Sequence, residues 1–223
     1  MVVQVLDNSH TLYDDFCKDK DIKPHDVQEE FLQLPDDIFE ALYGGAAYGG
    51  KSWILTLLPL FRGFYKYRSF KGIIFRRKFP DLEKEIIRLS KEYYPKTGAK
   101  YNEQKHSWEW PEFSSYMDFG HVQHSGDITQ YDSAQYNYCA FDELTHFDAY
   151  PYHYMVGSRV RPGGSSCNIA IARNGSNPGG IGQTYVYNRF VKPNENGRVV
   201  IRDKGTGLYR IFIPAKAEDN PYG

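Results

Sequence analysis

The sequence is poor in cysteine and has no long hydrophobic run. Its three cysteines, Cys17, Cys139 and Cys167, are odd in number and far apart, so they predict neither a disulfide framework nor a metal site. Their scarcity fits a reducing cytosol. No apolar stretch approaches the roughly 20 residues that span a bilayer, and the N-terminus lacks the layout of a signal peptide. These absences predict an intracellular protein without a membrane segment.

A strong charge of either sign is also missing, since the formal net charge is −1. The overall composition therefore does not indicate a nucleic-acid-binding protein. The distribution of charge is more informative, because residues 53–80 contain no acid and carry a cluster of basic side chains. That stretch is either a solvated helix end and loop, or an edge that faces a polyanion or another subunit.

A complete G-x-x-x-x-G-K-S motif is the most informative feature that is present. Glycines allow backbone N–H groups to converge on phosphate oxygens, while Lys51 would reach the β- and γ-phosphates and Ser52 would ligate Mg²⁺. Apolar runs over residues 38–43 and 53–58 predict a strand before the motif and a helix after it, whose N-terminus faces the anion. This context disfavours a chance glycine-rich turn. The predicted loop residues are Gly45, Ala46, Ala47, Tyr48, Gly49, Gly50, Lys51 and Ser52.

Two adjacent acids, Asp142 and Glu143, follow a strand predicted over Tyr136–Phe141. We expect Asp142 to hold Mg²⁺ together with Ser52, and Glu143 to orient and polarise the attacking water. Neighbouring side chains at a strand end point to different sides, so one acid can face the metal and the other the γ-phosphate. An Asp-Glu pair alone is common at solvated strand ends, but the phosphate loop some ninety residues upstream favours a hydrolytic role.

A third strand, predicted over Cys167–Ala172, leads to the polar turn at residues 176–180. Parallel sheets bind ligands at the carboxyl ends of their strands, so this turn can approach the γ-phosphate. Ser176 or Asn177 could then sense whether that phosphate is present. An ordinary Asn-Pro-Gly turn remains the alternative.

Alternating strands and helices predict an α/β protein with a mainly parallel central sheet flanked by helices. Residues 1–37 are assigned as an N-terminal entry segment and residues 38–223 as the core. Further expected elements are a short helix at 26–33, a strand over Lys71–Arg77, a helix that opens at Pro80, a β-hairpin within 107–122 and a last strand over Tyr209–Ile213.

In this order, the motifs resemble the ATPase domain of the large terminase subunit of tailed bacteriophages, the motor that packages DNA into procapsids. The resemblance implies a RecA-like P-loop NTPase fold of the ASCE type that binds ATP and Mg²⁺ and hydrolyses ATP to ADP and phosphate. It also implies that Gln28 contacts adenine and that Ser176 and Asn177 couple hydrolysis to DNA movement. The resemblance is carried by Gln28, the phosphate loop, residues 73–77 with 80–82, residues 141–147, residues 154–161, the turn at 176–180, and residues 214–216 with 219–222.

Partners follow from the same resemblance. It implies double-stranded DNA, a portal protein, a small terminase subunit and a homo-oligomeric ring, typically of five subunits, with a monomer in isolation and no membrane. The place of action would be the host cytoplasm. Such rings use an arginine in cis or from a neighbour to stabilise transition-state charge. Residues 129–135 contain no arginine, so Arg159 and Arg161 are the candidates, with Arg76 and Arg77 behind them.

Full-length relatives carry a C-terminal nuclease domain, and this chain stops where that domain would begin. We therefore expect ATP hydrolysis without DNA cleavage. Two other functions share the phosphate loop and the acids: another RecA-like nucleic-acid motor such as a helicase, and an ATP-dependent assembly module that is inactive alone.

Overall fold

A nine-stranded sheet forms the centre of the computed structural model, which describes residues 22–45, 49–163, 167–194 and 196–219. The strand order is β3-β4-β5-β2-β6-β7-β1-β9-β8. Six neighbouring strands, β5, β2, β6, β7, β1 and β9, run parallel to one another. This confirms the predicted α/β class with a mainly parallel sheet. The strands are β1 (Glu40–Gly45), β2 (Lys71–Arg76), β3 (Lys100–Asn102), β4 (Ser107–Trp110), β5 (Ser115–His121), β6 (Tyr138–Asp142), β7 (Ile171–Ser176), β8 (Ile201–Arg202) and β9 (Tyr209–Ala215).

Helices cover both faces of this sheet. Alternate residues of β2 and β6 enter two different apolar clusters, as expected for strands that are buried on both sides. The helices are α1 (Asp26–Leu32), α2 (Lys51–Phe61), α3 (Phe79–Leu82), α4 (Arg88–Tyr93), α5 (Ala149–Ser158) and α6 (Gln183–Val186), with π-helical turns at Glu83–Ile87 and Tyr187–Val191. One cluster includes α2 and α4, and the other includes α5 and the helical segment after α6. None of the helices in the described part of the chain is long and apolar enough to cross a bilayer.

The expected β-hairpin is present as β4 and β5, which pair antiparallel. It is continuous with the main sheet, because β5 also pairs in parallel with β2. Trp108 and Trp110 anchor it to the covering helix: their indole nitrogens donate to Ser90 Oγ at 2.9 Å and to Thr97 Oγ1 at 2.8 Å. Between the two indoles lies the ring of Tyr94, 5.5 Å and 5.4 Å from their centroids. The hairpin therefore extends the sheet and its core together.

Strand β7 is the element whose predicted bounds differ most from the structure, since β1 and β6 are displaced by only one or two residues at each end. The sequence pattern predicts a strand over Cys167–Ala172, whereas the strand runs over Ile171–Ser176 and includes the polar residues Arg173 and Asn174. Arg173 is 1% exposed, and its guanidinium donates to the carbonyl of Ile38 at 2.8 Å. Burial lowers the pKa of Arg173 to about 10. Polar side chains can occupy this central strand because backbone groups of other segments satisfy them.

A second buried charge ties the first strand to the last covering helix. Glu40, at the start of β1, is 3% exposed and accepts two hydrogen bonds from Arg189, at 2.7 Å and 2.6 Å. The hydroxyl of Tyr152 donates to the same carboxylate at 2.6 Å. This network lies beneath β1, which leads directly into the phosphate loop.

Arg189→Ala should lower the free energy of unfolding by about 3–5 kcal/mol, because it leaves the Glu40 carboxylate buried without its cation. Urea denaturation measures the change. The matched control is Arg198→Ala, which removes an exposed pair with Glu30 at 2.9 Å and should cost less than about 1 kcal/mol. Equal losses in the two variants would show that the Glu40 network does not stabilise the fold.

Candidate active site

The carboxyl ends of three strands meet at one edge of the sheet, where the motif loops lie. Strand β7 lies between β1 and β6, with Asn174 in register with Leu42 on one side and Phe141 on the other. The turn after β7 is therefore adjacent to both the phosphate loop and the acids. A cleft of about 540 Å³ opens at this edge. It is lined by Gly49, Gly50, Lys51, Ser52, Trp53, Arg76, Glu85, Arg88, Leu89, Asp142, Glu143 and Asn177.

The second half of the phosphate loop lines this cleft, while Ala46, Ala47 and Tyr48 fall outside the described residues. Gly50 precedes α2 in the left-handed region, with φ of 64°, and a Cβ there would lie 2.3 Å from the Gln28 amide nitrogen. Lys51, the first residue of α2, is buried, and burial lowers its pKa although Asp142 and Glu143 oppose the shift. The lysine therefore lies in the field of both predicted acids.

Asp142 connects the two motifs. It is 1% exposed, and its Oδ2 accepts a hydrogen bond from Ser52 Oγ at 2.8 Å and another from Arg76 Nε at 2.8 Å. Burial raises the pKa of Asp142, while the Arg76 and Ser52 contacts pull it down. From the sequence, Arg76 is a second choice, behind Arg159 and Arg161, for the arginine that stabilises transition-state charge. In the structure it pairs directly with the expected metal ligand.

Glu143 lies outside the strand, so the expected alternation of neighbouring strand side chains does not describe the acid pair. Its φ of 58° and ψ of 53° are left-handed, and a 3₁₀ turn, Leu144–His146, follows immediately. The carboxylate contacts His146 Nδ1 at 2.8 Å and Arg76 Nη2 at 3.5 Å. A backbone turn, instead of strand pleating, separates the two carboxylates.

The turn after β7 is tied to the turn after β6. Ser176 Oγ accepts a hydrogen bond from the Thr145 N–H at 3.0 Å and donates to Thr145 Oγ1 at 2.9 Å. Thr145 Oγ1 in turn donates to the carbonyl of Asn177 at 2.9 Å. Asn177 lines the cleft, and its side-chain oxygen is buried without a hydrogen-bond partner among the described residues. An acceptor in that position has free capacity for a donor bound in the cleft.

Gln28 lies against the phosphate loop. Its Nε2 donates to the carbonyl of Gly50 at 3.2 Å, and its Oε1 accepts from the His25 N–H at 3.1 Å. One amide hydrogen and one lone pair of Gln28 remain for a further partner. The contact with adenine stays a prediction.

Arg159 and Arg161 lie apart from the cleft. Val160, between them, bridges to Tyr136 near the amino end of β6, while Asp142 lies at the carboxyl end. Tyr136 and Asp142 are six positions apart along an extended segment that includes β6, a separation of about 20 Å. Arg159 donates to the hydroxyl of Tyr154 at 2.6 Å. Neither arginine lines its own chain's cleft in this structure, and a catalytic role for either of them stays a prediction.

The residues present fit a magnesium-bound triphosphate. A hydroxyl and a carboxylate are oxygen donors of the kind that Mg²⁺ prefers, and Mg²⁺ takes only one or two protein ligands beside phosphates. No group of three or more His, Cys, Asp or Glu that could hold a metal occurs in the described ranges. Gly175 leaves room between the motifs, because a Cβ there would lie 3.2 Å from Lys51 Cβ and 3.5 Å from Asp142 Oδ1.

The fold is of the RecA-like P-loop type. Solved structures with this architecture include the large terminase of a thermophilic bacteriophage, with 11% identity over 89% of this chain and a TM-score of 0.64. The same terminase in complex with ATP-γ-S matches with 13% identity over 89% of this chain and a TM-score of 0.60. The ATPase domain of the Thermus phage P74-26 large terminase, as a mutant, matches with 17% identity over 93% of this chain, 87% of its own length and a TM-score of 0.60.

This chain spans about half the length of the first of these terminases, 47% and 46% in the two matches. No protein-family model and no curated protein matches it. At these levels of identity the likeness shows the fold. The motifs indicate a resemblance to large terminase ATPase domains, and this resemblance is confirmed for the fold.

Arg76→Ala should lower the unfolding free energy of the magnesium-free protein by about 3–5 kcal/mol, because the buried Asp142 loses its cation. Magnesium with nucleotide should recover part of the loss, since the metal supplies positive charge at the same carboxylate. Urea denaturation with and without Mg²⁺ and ADP measures both effects.

The control for this variant is Arg77→Ala. Arg77 is the partly exposed neighbour and donates to the carbonyl of His146 at 3.0 Å. Its removal should change stability by less than about 1 kcal/mol. An Arg76→Ala variant as stable as this control would contradict the pairing of Arg76 with Asp142.

Proposed function

We propose that this chain is an ATPase and the motor domain of a large terminase, which uses ATP hydrolysis to drive double-stranded viral DNA into procapsids. The observation that supports the ATPase most directly is the 2.8 Å bond between Ser52 Oγ and Asp142 Oδ2. It joins the two motifs that would share one Mg²⁺, although 90 positions of sequence separate them.

The two acids have different environments, and this supports a different role for each. Asp142 is buried and already accepts hydrogen bonds from Ser52 and Arg76, so it is suited to hold a cation and unsuited to receive a proton from water. Glu143 has a side chain that is 35% exposed at the cleft. Glu143 therefore orients the attacking water and accepts its proton.

Lys51 and the start of α2 bind the phosphates. Lys51 neutralises charge on the β- and γ-phosphates, and the first N–H groups of the 11-residue helix α2 face the anion. Ser52 and Asp142 would hold Mg²⁺, which when bound stabilises negative charge on the phosphate oxygens. Gln28, in the entry segment that precedes the core, would contact the adenine.

The motor assignment is supported by the likeness to two phage terminases and by the link between the β7 turn and the acids. Ser176 and Asn177 contact Thr145, two residues after Glu143, so that loss of the γ-phosphate and movement of this loop would be coupled. In a ring, typically a pentamer, Arg159 or Arg161 would reach a neighbour's cleft. Double-stranded DNA, a portal protein and a small terminase subunit are the proposed partners.

Glu143→Gln should keep nucleotide affinity and lose about 10²–10⁴-fold in turnover, because the amide cannot accept the proton from water. Lys51→Ala should weaken nucleotide binding itself. Calorimetry with ATP-γ-S and a phosphate-release assay separate the two effects.

Glu83→Gln is the matched control, because Glu83 lies in the same π-helical turn as the cleft residue Glu85 but is absent from the cleft lining. It should turn over at the normal rate. Unchanged hydrolysis in Glu143→Gln would refute the role given to that residue.

ATPase activity per subunit should rise steeply with protein concentration, because a ring brings a neighbour's arginine to each cleft. A flat dependence would favour an assembly module that is idle alone. Strand separation of duplex DNA by the isolated chain would favour a helicase, whereas DNA uptake that depends on procapsids would support the terminase motor.

A further inference from the structure

The carboxylate of Glu143 is held by a side chain of its own turn. His146 Nδ1 lies 2.8 Å from Glu143 Oε2, and the His146 N–H donates to the Glu143 carbonyl at 2.8 Å. Arg76 Nη2 is more distant from the other carboxylate oxygen, at 3.5 Å. A hydrogen on Nδ1 makes this contact favourable, since an ionised carboxylate can only accept.

The backbone of Glu143 makes this contact possible. Its left-handed conformation, with φ of 58°, is strained for a residue with a side chain. It folds the Leu144–His146 turn back, so that residues 143 and 146 meet. Backbone strain of this kind is retained where the surrounding structure over-determines it, and here it brings an imidazole to the acid beside the cleft.

The same imidazole lies against the turn after β7. A Cβ at Gly180 would be 3.0 Å from His146 Cδ2 and 2.4 Å from the carbonyl of Thr145. The N–H of Gly182 donates to that Thr145 carbonyl at 2.8 Å. The half-exposed imidazole of His146 therefore has the Glu143 carboxylate on one side and the backbone of the 176–182 loop on another.

We propose that His146 is a positioning residue for Glu143: its Nδ1 contact fixes the carboxylate for attack by water, and the 176–182 loop packs against the imidazole. The inference rests on the proposed ATPase function. It gives the coupling loop a direct route to the residue that polarises water. A bound carboxylate keeps free lone pairs, so the contact with His146 leaves Glu143 able to accept from water.

Steady-state kinetics test this role with two substitutions. His146→Ala removes the donor and should lower kcat about tenfold with KM unchanged, as is typical when a group that orients a functional ligand is lost. His146→Asn keeps an N–H near the Nδ1 position and should retain most of the activity. Affinity for ATP-γ-S and the melting temperature should be the same in both variants, because His146 is half-exposed and does not line the cleft.

A double-substitution cycle separates positioning from a structural effect. In the Glu143→Gln background, His146→Ala should cause no further loss, because the residue that it positions no longer accepts a proton. A further loss of kcat in this background, as large as the loss that His146→Ala causes in the native chain, would overturn the proposal. So would an unchanged kcat in His146→Ala, or an Asn variant as impaired as the Ala variant.

A readout that does not need turnover distinguishes failure of this inference from failure of the proposed function. Proton–nitrogen NMR of the imidazoles, with His146 assigned by its absence in His146→Asn, should show the Nδ1–H form in the native chain. Glu143→Ala should convert His146 to the mixture of tautomers that a solvated imidazole adopts. An inactive native chain with this signature would refute the ATPase and leave the contact intact; a solvated tautomer mixture in the native chain would refute the positioning role.

Discussion

One carboxylate oxygen, Oδ2 of Asp142, joins the elements that form the functional edge of this protein. It accepts from Ser52 at the start of α2 and from Arg76 at the end of β2, while Asp142 itself ends β6. A carboxylate with 1% exposure is tolerated only when it is paired and hydrogen-bonded. The hydrogen bonds that make burial of this carboxylate tolerable are thus also the contacts that join the phosphate loop to the acids.

The chain separates its two adjacent acids by backbone conformation. Asp142 completes the strand and is buried, whereas Glu143 turns into the left-handed region and reaches the cleft surface. The neighbouring strand supplies the complementary features: Gly175 leaves space beside Asp142, and Ser176 bonds the turn that follows Glu143. The groups proposed for metal binding, water activation and phosphate sensing therefore lie within a few residues of three parallel strand ends.

Much of this arrangement was predictable because the motifs are local. The phosphate loop, the helix after it, the Asp-Glu pair and the hairpin all have short-range signals of spacing and hydropathy. The bounds of β7 were not predictable in this way. Arg173 and Asn174 are typical of a loop in sequence, yet Arg173 binds the carbonyl of Ile38, 135 positions away, and Asn174 binds that of Ala41. Polar residues in a strand are compatible with burial only through such distant partners.

The sequence alone was enough to predict the class of chemistry, since glycines, Lys51, Ser52 and the two acids occur at spacings that few other functions need. Tertiary structure decided which further groups lie beside them. It paired Arg76 with Asp142, set His146 against Glu143 and put Arg159 and Arg161 near the opposite end of β6. Hydropathy and motif spacing carry no information about contacts between charged side chains from different strands, because those contacts depend on sheet order and on the direction of each turn.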